Sequence, residues 1–198
     1  MNKLIGFEGI DGSGKTILIN KLLSYKNLSK KVIFTTRRNP SSPFVEEMYA
    51  AMPNFKKEFK ALDLFVEDMF YRYSVMPENK FIFSDRTFTS ASIFYETTAE
   101  QGNISDSALR QKIQQGLQTY SPLLTIILRV DVDKALDRIY YERGKFSPVE
   151  EPEFLAGCSR RFAAIKSNKQ TLVIDTSNLT EIEVFDAVKD RVYELIQY

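Results

Sequence analysis

The stretch Leu4–Ser24, LIGFEGIDGSGKTILINKLLS, leaves this chain little freedom in how it begins to fold. Four of the chain's eight glycines lie between Gly6 and Gly14. Before them runs Leu4-Ile5-Gly6-Phe7, short and apolar, which suits a buried parallel strand. After them Ile17, Leu18, Leu22 and Leu23 recur at helical spacing. The connecting loop, Gly9-Ile10-Asp11-Gly12-Ser13-Gly14-Lys15-Thr16, fits G-x-x-x-x-G-K-[ST] in the strand-then-helix context that this motif requires. Glycine admits positive φ and lets backbone N–H groups approach an anion closely. The helix start adds unpaired N–H groups and a positive dipole end. Together they form a concave nest for phosphate oxygens. Lys15 is placed to reach the β- and γ-phosphates of a nucleotide, and Thr16 to set its hydroxyl on Mg²⁺. A glycine-rich turn that merely joins strand to helix is the competing reading; the strand before and the helix after weigh against it.

The rest of the chain repeats the alternation of strand and helix. Lys31–Thr36, Phe81–Ser84, Leu123–Val130 and Thr171–Asp175 read as further strands. Helical patterns cover Pro43–Met52, Phe55–Met76, Ser90–Gln101, Asp106–Tyr120, Val132–Tyr141, Pro152–Lys166 and Glu181–Gln197. The expected fold is therefore α/β, a parallel sheet with helices on both faces, formed by residues 1–198 as one domain. Ligands in such folds bind beyond the carboxyl ends of the strands. The glycine loop, "TTRRNP", "SDRTF" and the segment after "IILRV" all emerge there, so charged residues distant in sequence converge on one crevice.

Composition removes several classes of function. The chain has no histidine, which excludes Ser-His-Asp chemistry and histidine metal sites. A single cysteine, Cys158, excludes an intramolecular disulfide and a thiolate zinc cluster, and reads as core filling. The 27 basic and 26 acidic residues leave a net charge of +1, so no bulk field favours nucleic acid or a membrane surface. No apolar run is long enough to span a bilayer, and "MNKLIGF" is too short for a signal segment. A reducing cytoplasm fits these features.

Four further stretches carry candidate chemistry. Asp85 follows an apolar strand, where a carboxylate can reach Mg²⁺ directly or through water. Arg86 beside it can bind a phosphate with two donors; a helix cap and a surface ion pair are the bland readings of the two. Arg37 and Arg38 follow the second strand at the ligand edge, which favours anion binding by at least one. Arg138, Arg143, Gly144 and Lys145 lie where a helical pattern breaks, so residues 138–150 read as a short lid whose basic groups close over phosphates. In "LDLFVEDMFYRY" most aromatics are core; Phe65 is the candidate to stack on a base, with Arg72 as a second candidate in the same pocket.

These stretches together resemble the thymidylate kinase family, within the nucleoside monophosphate kinases of the P-loop fold. "FEGIDGSGKT" resembles the family opening. Asp85, Arg86 and Ser90 resemble its D-R-Y-x-x-S motif. "SPLLTIILRVDVDKALDRI", "ERGKFSPVE" and "VIDTSN" resemble its P-D-L-T strand and helix, its lid and the end of its last strand. The resemblance implies a five-stranded sheet, ATP and Mg²⁺, and γ-phosphoryl transfer to a deoxynucleoside monophosphate, thymidylate by default. It implies small-molecule nucleotides as partners and a homodimer. Carried over by position, Lys15 and Thr16 serve ATP and Mg²⁺, and Asp11 contacts the acceptor sugar. Arg37 holds the acceptor phosphate, and Asp85 and Arg86 lie near the metal and the phosphates. Ser90 and Phe65 belong to the acceptor site, and Arg143 is a lid arginine. Gly12 stands where some members carry an arginine, so the lid must supply the cation for transfer.

The chain also departs from the pattern. Arg38, Asn39 and Pro40 replace E-P-G-G-T after Arg37. The arginine that reads the thymine edge falls at Met69, the tyrosine after D-R at Thr87, the base-site glutamine or threonine at Tyr95, and the strand-end aspartate at Arg129. Phosphate chemistry is kept while base reading is altered. Either Arg72 reads the base or acceptor selectivity is broad. The alternatives to a monophosphate kinase are a deoxynucleoside kinase, whose E-R-S motif "DRTFTSASIFYE" faintly resembles, and a non-catalytic ATP-binding regulator.

Overall fold

The computed structural model describes residues 3–36 and 42–197. Five strands form one all-parallel sheet: β1 (Leu4–Glu8), β2 (Val32–Thr35), β3 (Phe81–Asp85), β4 (Leu124–Arg129) and β5 (Thr171–Asp175), in the order β2-β3-β1-β4-β5. β1 is central and buried along its whole length, as its unbroken apolar run requires. The order reverses at β1, because β2 and β3 lie to one side of it and β4 and β5 to the other. The loop after β1 therefore opens into the crevice where such sheets bind ligands.

The helices are α1 (Lys15–Ser24), α2 (Val45–Ala51), α3 (Lys60–Ser74), α4 (Phe88–Gly102), α5 (Ser107–Thr119), α6 (Val132–Arg143), α7 (Pro152–Ala164) and α8 (Glu181–Gln197). Strand alternation splits the core into layers. Ile5, Phe7, Phe83, Ile126 and Leu128 pack with Leu18, Ile19 and Leu22 of α1 and Val184, Val188 and Val192 of α8. Leu4 and Ile82 pack on the other face with Leu64, Phe65 and Met69 of α3, Phe88 and Tyr95 of α4, and Ile113 of α5. Ile127 and Val130 pack with Ala135 and Ile139 of α6 and with Phe154, Cys158 and Phe162 of α7. Fully burying each large side chain contributes about 1.5–3 kcal/mol, so removing the Phe7 ring, which meets Phe83 edge-on at 5.2 Å, should cost about 3–5 kcal/mol.

Among the boundaries that differ from the periodic pattern, two helix starts have an identifiable cause. The helix expected over Phe55–Met76 begins only at Lys60. Pro53 ends α2 in a 3-10 turn over Met52–Asn54, and the next residues turn Phe55 and Phe59 inward toward different layers. The helix expected from Ser90 begins at Phe88, because the Thr87 hydroxyl accepts the Thr89 N–H and caps it.

Candidate active site

The loop after β1 wraps its own lysine. Lys15 Nζ donates to the Ile10 carbonyl at 2.8 Å, the Gly9 carbonyl at 3.2 Å and Ser13 Oγ at 3.4 Å. Burial, reinforced by the Arg86 charge, pushes this ammonium down to about 8. A cation held so far below its ordinary value gains strongly from an incoming anion. Gly14 caps α1 in the left-handed region, and Leu18 N–H returns to its carbonyl. Gly12 has φ of 76°, and a Cβ there would lie 2.5 Å from the Ala135 carbonyl oxygen of α6. Helix α6 packs so closely on the loop that an arginine at position 12 has no room.

Asp85 and Thr16 meet as the sequence suggests. Thr16 Oγ1 donates to Asp85 Oδ2 at 3.0 Å, across the parallel pairing of β1 and β3. A hydroxyl and a carboxylate side by side at the mouth of a phosphate loop fit the oxygen ligands that Mg²⁺ takes. Arg86 turns the other way. Its Nη2 donates to Asp11 Oδ1 at 2.7 Å, and its Nη1 donates to the Gly9 carbonyl at 2.8 Å and Ser90 Oγ at 3.2 Å. Phe94 lies under the guanidinium at 5.0 Å. Burial opposes the charge, but Asp11, Asp85 and Glu8 outweigh it and hold Arg86 above its ordinary value.

Two cavities meet at this group. The larger, about 730 Å³, runs along the loop from Asp11 to Thr16 and is lined by Asp85, Arg86, Arg138, Tyr141, Arg143, Thr176 and Leu179. The smaller, about 70 Å³, is lined by Asp11, Arg86, Phe65, Phe94, Met52, Phe55, Val149, Phe154 and Cys158, with Glu58 and Thr98 among its few polar groups. Asp11 and Arg86 line both. The larger has the size of a small-molecule site, for which about 300–1,000 Å³ is usual. The smaller is the narrower of the two and mostly apolar in its lining. Its wall includes the Phe55–Phe154 edge contact at 4.8 Å, and Lys56 pairs with Glu151 beside it.

In residues 138–150, where the sequence suggests a lid, α6 ends at Arg143 with Gly144 left-handed behind it. Arg143 lines the larger cavity and pairs with Glu150, a buried carboxylate that also accepts the Ser147 N–H at 2.6 Å in a capping box. Arg138 donates to the Gly12 carbonyl at 3.2 Å and the Thr176 carbonyl at 3.0 Å, tying α6 to the loop. Lys145 is exposed. Arg37 and Arg38 lie outside the described residues; Thr36, before them, lines the larger cavity.

Other expected residues are placed differently. Arg72 is fully buried, donating to Asp68 Oδ2 at 2.8 Å and Thr35 Oγ1 at 3.1 Å, and lines neither cavity. One turn beyond Met69, its side chain follows the buried carboxylate of Asp68 toward β2 instead of the cavity beside Phe65. Tyr95 also turns away, stacking on Phe59 at 4.7 Å and donating to the Asp106 carbonyl at 2.9 Å. Arg129 donates to the Ala163 carbonyl at 2.8 Å and to that of Ile165, closing the end of α7. Ser90 is buried under Arg86 and touches Glu8. Cys158 is core, its thiol pushed up to about 11 by burial. Glu8 is the residue that sequence reasoning missed. The signal was present, since a carboxylate ending a fully buried strand must find partners.

The chain is similar to known proteins in sequence and in fold. The family model described as Thymidylate kinase matches residues 7–187. A protein of Methanococcus maripaludis named "Probable thymidylate kinase" is 30% identical over 212 residues, covering all of both chains. Among solved structures, thymidylate kinase from Candida albicans superposes with a TM-score of 0.72 at 22% identity, over 99% of this chain and 91% of that one. Deoxyadenosine kinase from M. mycoides superposes with a TM-score of 0.73 at 15% identity, over 97% and 99% of the two chains. At such identities these two structures speak for the fold alone.

Proposed function

The chain belongs to the thymidylate kinase family, and from that premise we propose that it transfers the γ-phosphoryl group of ATP to a deoxynucleoside monophosphate, thymidylate by default. The observation that carries this reading is the pair Asp11–Arg86, which lines both cavities at once. A donor phosphate on the loop and an acceptor phosphate beside Arg86 then meet across that pair. An acceptor phosphate oxygen bonds to the γ-phosphorus, the bond from that phosphorus to the β–γ bridging oxygen breaks, and ADP leaves.

Such transfer needs alignment and charge stabilisation more than a general base. The loop N–H groups and Lys15 hold the donor phosphates; Lys15 exchanges its carbonyl partners for them. Thr16 and Asp85 would hold Mg²⁺, which when bound offsets phosphate charge. Arg86, anchored by Asp11, faces the acceptor phosphate, and Arg37 is assigned to the same phosphate. Phe65 offers its ring to the base. Residues 138–150 act as the lid, and Arg143 brings the cation that Gly12 cannot. The same reading carries a cytoplasmic homodimer, which sedimentation and fractionation check. Among the described residues no helix is long and apolar enough to cross a membrane.

Coupled ADP release, measured with a panel of nucleosides and monophosphates, tests the proposal. ADP should appear with thymidylate and not with thymidine. Turnover of nucleosides alone makes the protein a deoxynucleoside kinase. ATP binding without any turnover makes it a regulator of the same fold.

A further inference from the structure

Glu8 ends β1 fully buried, directly under the site. Its Oε1 accepts the Thr87 N–H at 2.8 Å and the Thr87 hydroxyl at 2.6 Å, and its Oε2 accepts the Ser90 hydroxyl. Strand alternation sets Leu4, Gly6 and Glu8 on one face. Gly6 makes the contact possible, because a Cβ there would lie 2.6 Å from Thr87 Cγ2. An isolated buried carboxylate is costly, and packing alone would favour an apolar residue here.

The residue before Thr87 is Arg86, which has φ of 73° without being glycine. Such a conformation costs about 1–3 kcal/mol and persists only where its surroundings over-determine it. Here they do. Arg86 N–H donates to the Phe7 carbonyl at 2.9 Å, and Ser84 Oγ donates to the Arg86 carbonyl at 2.7 Å. Glu8 holds the next N–H. It also sets the polarity of Ser90. A hydroxyl has one proton to give; given to Glu8, it leaves a lone pair facing Arg86 Nη1 at 3.2 Å.

We propose that Glu8 is a positioning residue for phosphoryl transfer, acting through Thr87 and Ser90 to hold Arg86 in its left-handed turn with the guanidinium on Asp11. This rests on the function proposed above, in which Arg86 faces the acceptor phosphate. A carboxylate that only satisfies its neighbours would affect folding and leave the work of Arg86 alone.

The experiment is a double-mutant cycle of Glu8→Gln with Arg86→Ala, alongside Thr87→Val and Thr87→Ser. With thymidylate and ATP saturating, Glu8→Gln and Thr87→Val should each lower kcat roughly tenfold, the scale of one hydrogen bond to a charged group. ATP affinity by calorimetry should stay within about twofold, and Thr87→Ser should restore kcat. In the Arg86→Ala background, Glu8→Gln should do nothing more. An unchanged kcat in Glu8→Gln, or the same loss with and without Arg86, overturns the proposal. If Glu8→Gln does not fold, the Thr87→Val and Thr87→Ser pair in both backgrounds decides by the same criteria. A wild type that turns over no monophosphate sinks the kinase reading instead. The cycle is then read in urea melts, where additive losses overturn the link between Glu8 and Arg86.

Discussion

The two sides of the Asp11–Arg86 pair are built on different terms. On the donor side a cavity of about 730 Å³ stands open, walled by backbone N–H groups, Lys15, Thr16 and Asp85. On the proposed acceptor side a narrower cavity of about 70 Å³ is lined by Met52, Phe55, Val149 and Phe154. The first is built on one contiguous loop whose geometry is local, with further walls from the end of β3, α6 and the segment after β5. The second is made by side chains from α3, α4, α7 and the segments around α2 and before α7, so its volume follows from how those parts pack. That wall includes Val149, Phe154, Leu155 and Cys158, which lie at or just after the end of residues 138–150. Phe55 against Phe154 and Lys56 against Glu151 tie the segment after α2 to the start of α7.

The largest effect expected lies on the donor side. Lys15→Ala should lower kcat on the order of 10³-fold, because the variant loses the charge aimed at the transferring group. Circular dichroism should show an intact fold. ADP release near the wild-type rate from that variant would remove the donor assignment, and with it the contrast between the two cavities.

Arg143→Ala is expected to lower kcat by about 10²-fold while ATP binding, measured by calorimetry, changes little. The reason is that Arg143 pairs with Glu150 and is assigned to the phosphates only on the proposed closure. Lost ATP affinity with kcat preserved would make it part of the open donor cavity instead.

Acceptor selectivity sharpens the other half. With Met69 in the core and Arg72 tied to Asp68 and Thr35, the described wall around Phe65 is mostly apolar. Thymidylate and deoxyuridylate should then differ in kcat/KM by about 1–3 kcal/mol, the value of one methyl group in an apolar pocket. Arg72→Ala should leave that ratio unchanged and cost about 3–5 kcal/mol of stability, since Asp68 would keep a buried charge without its partner. A changed ratio in a stable Arg72→Ala protein would return Arg72 to base reading.

The smallest effect is a proton. Lys15 has its folded pKa lowered to about 8 from 10.5. Between those values the folded protein has released a proton that the unfolded chain still holds, so the Lys15 contribution to stability rises with pH across that window. Donor phosphates restore the proton. Near pH 8, ADP binding should take up roughly half a proton, read as buffer-dependent heat in calorimetry, and Lys15→Met should abolish it. Heat that is independent of buffer would mean that Lys15 is already fully charged in the free loop.

What was legible in the sequence was local. The strand, the loop from Gly9 to Thr16 and the helix after it are specified by neighbours in the chain, because positive φ, the helix start and the lysine are all set within a few residues. Thr16 and Asp85 each read as Mg²⁺ ligands in the sequence, and the pairing of β1 with β3 brings them together. The boundary at Lys60 was less legible, since Phe55 and Phe59 fit a helical period yet are drawn to different layers of the core.

Side-chain direction belonged to the tertiary structure. Tyr95 and Arg129 stand at positions the family pattern associates with the base and the strand end, and Arg72 one turn beyond the base-reading position at Met69, yet they point at Asp106, the end of α7 and Asp68. A long side chain on a helix or strand end can reach several neighbours, and the choice depends on which buried polar group lacks a partner. Glu8 is the same case reversed, a residue that sequence alone leaves as an interruption in an apolar strand. Its importance became visible only when α4 brought Thr87 and Ser90 against it. The chain by itself determined the sheet, the phosphate loop and the family. Packing across the sheet decided which charges face the ligand and which are spent holding others in place, because burial forces every polar group to find its partner in space and not in sequence.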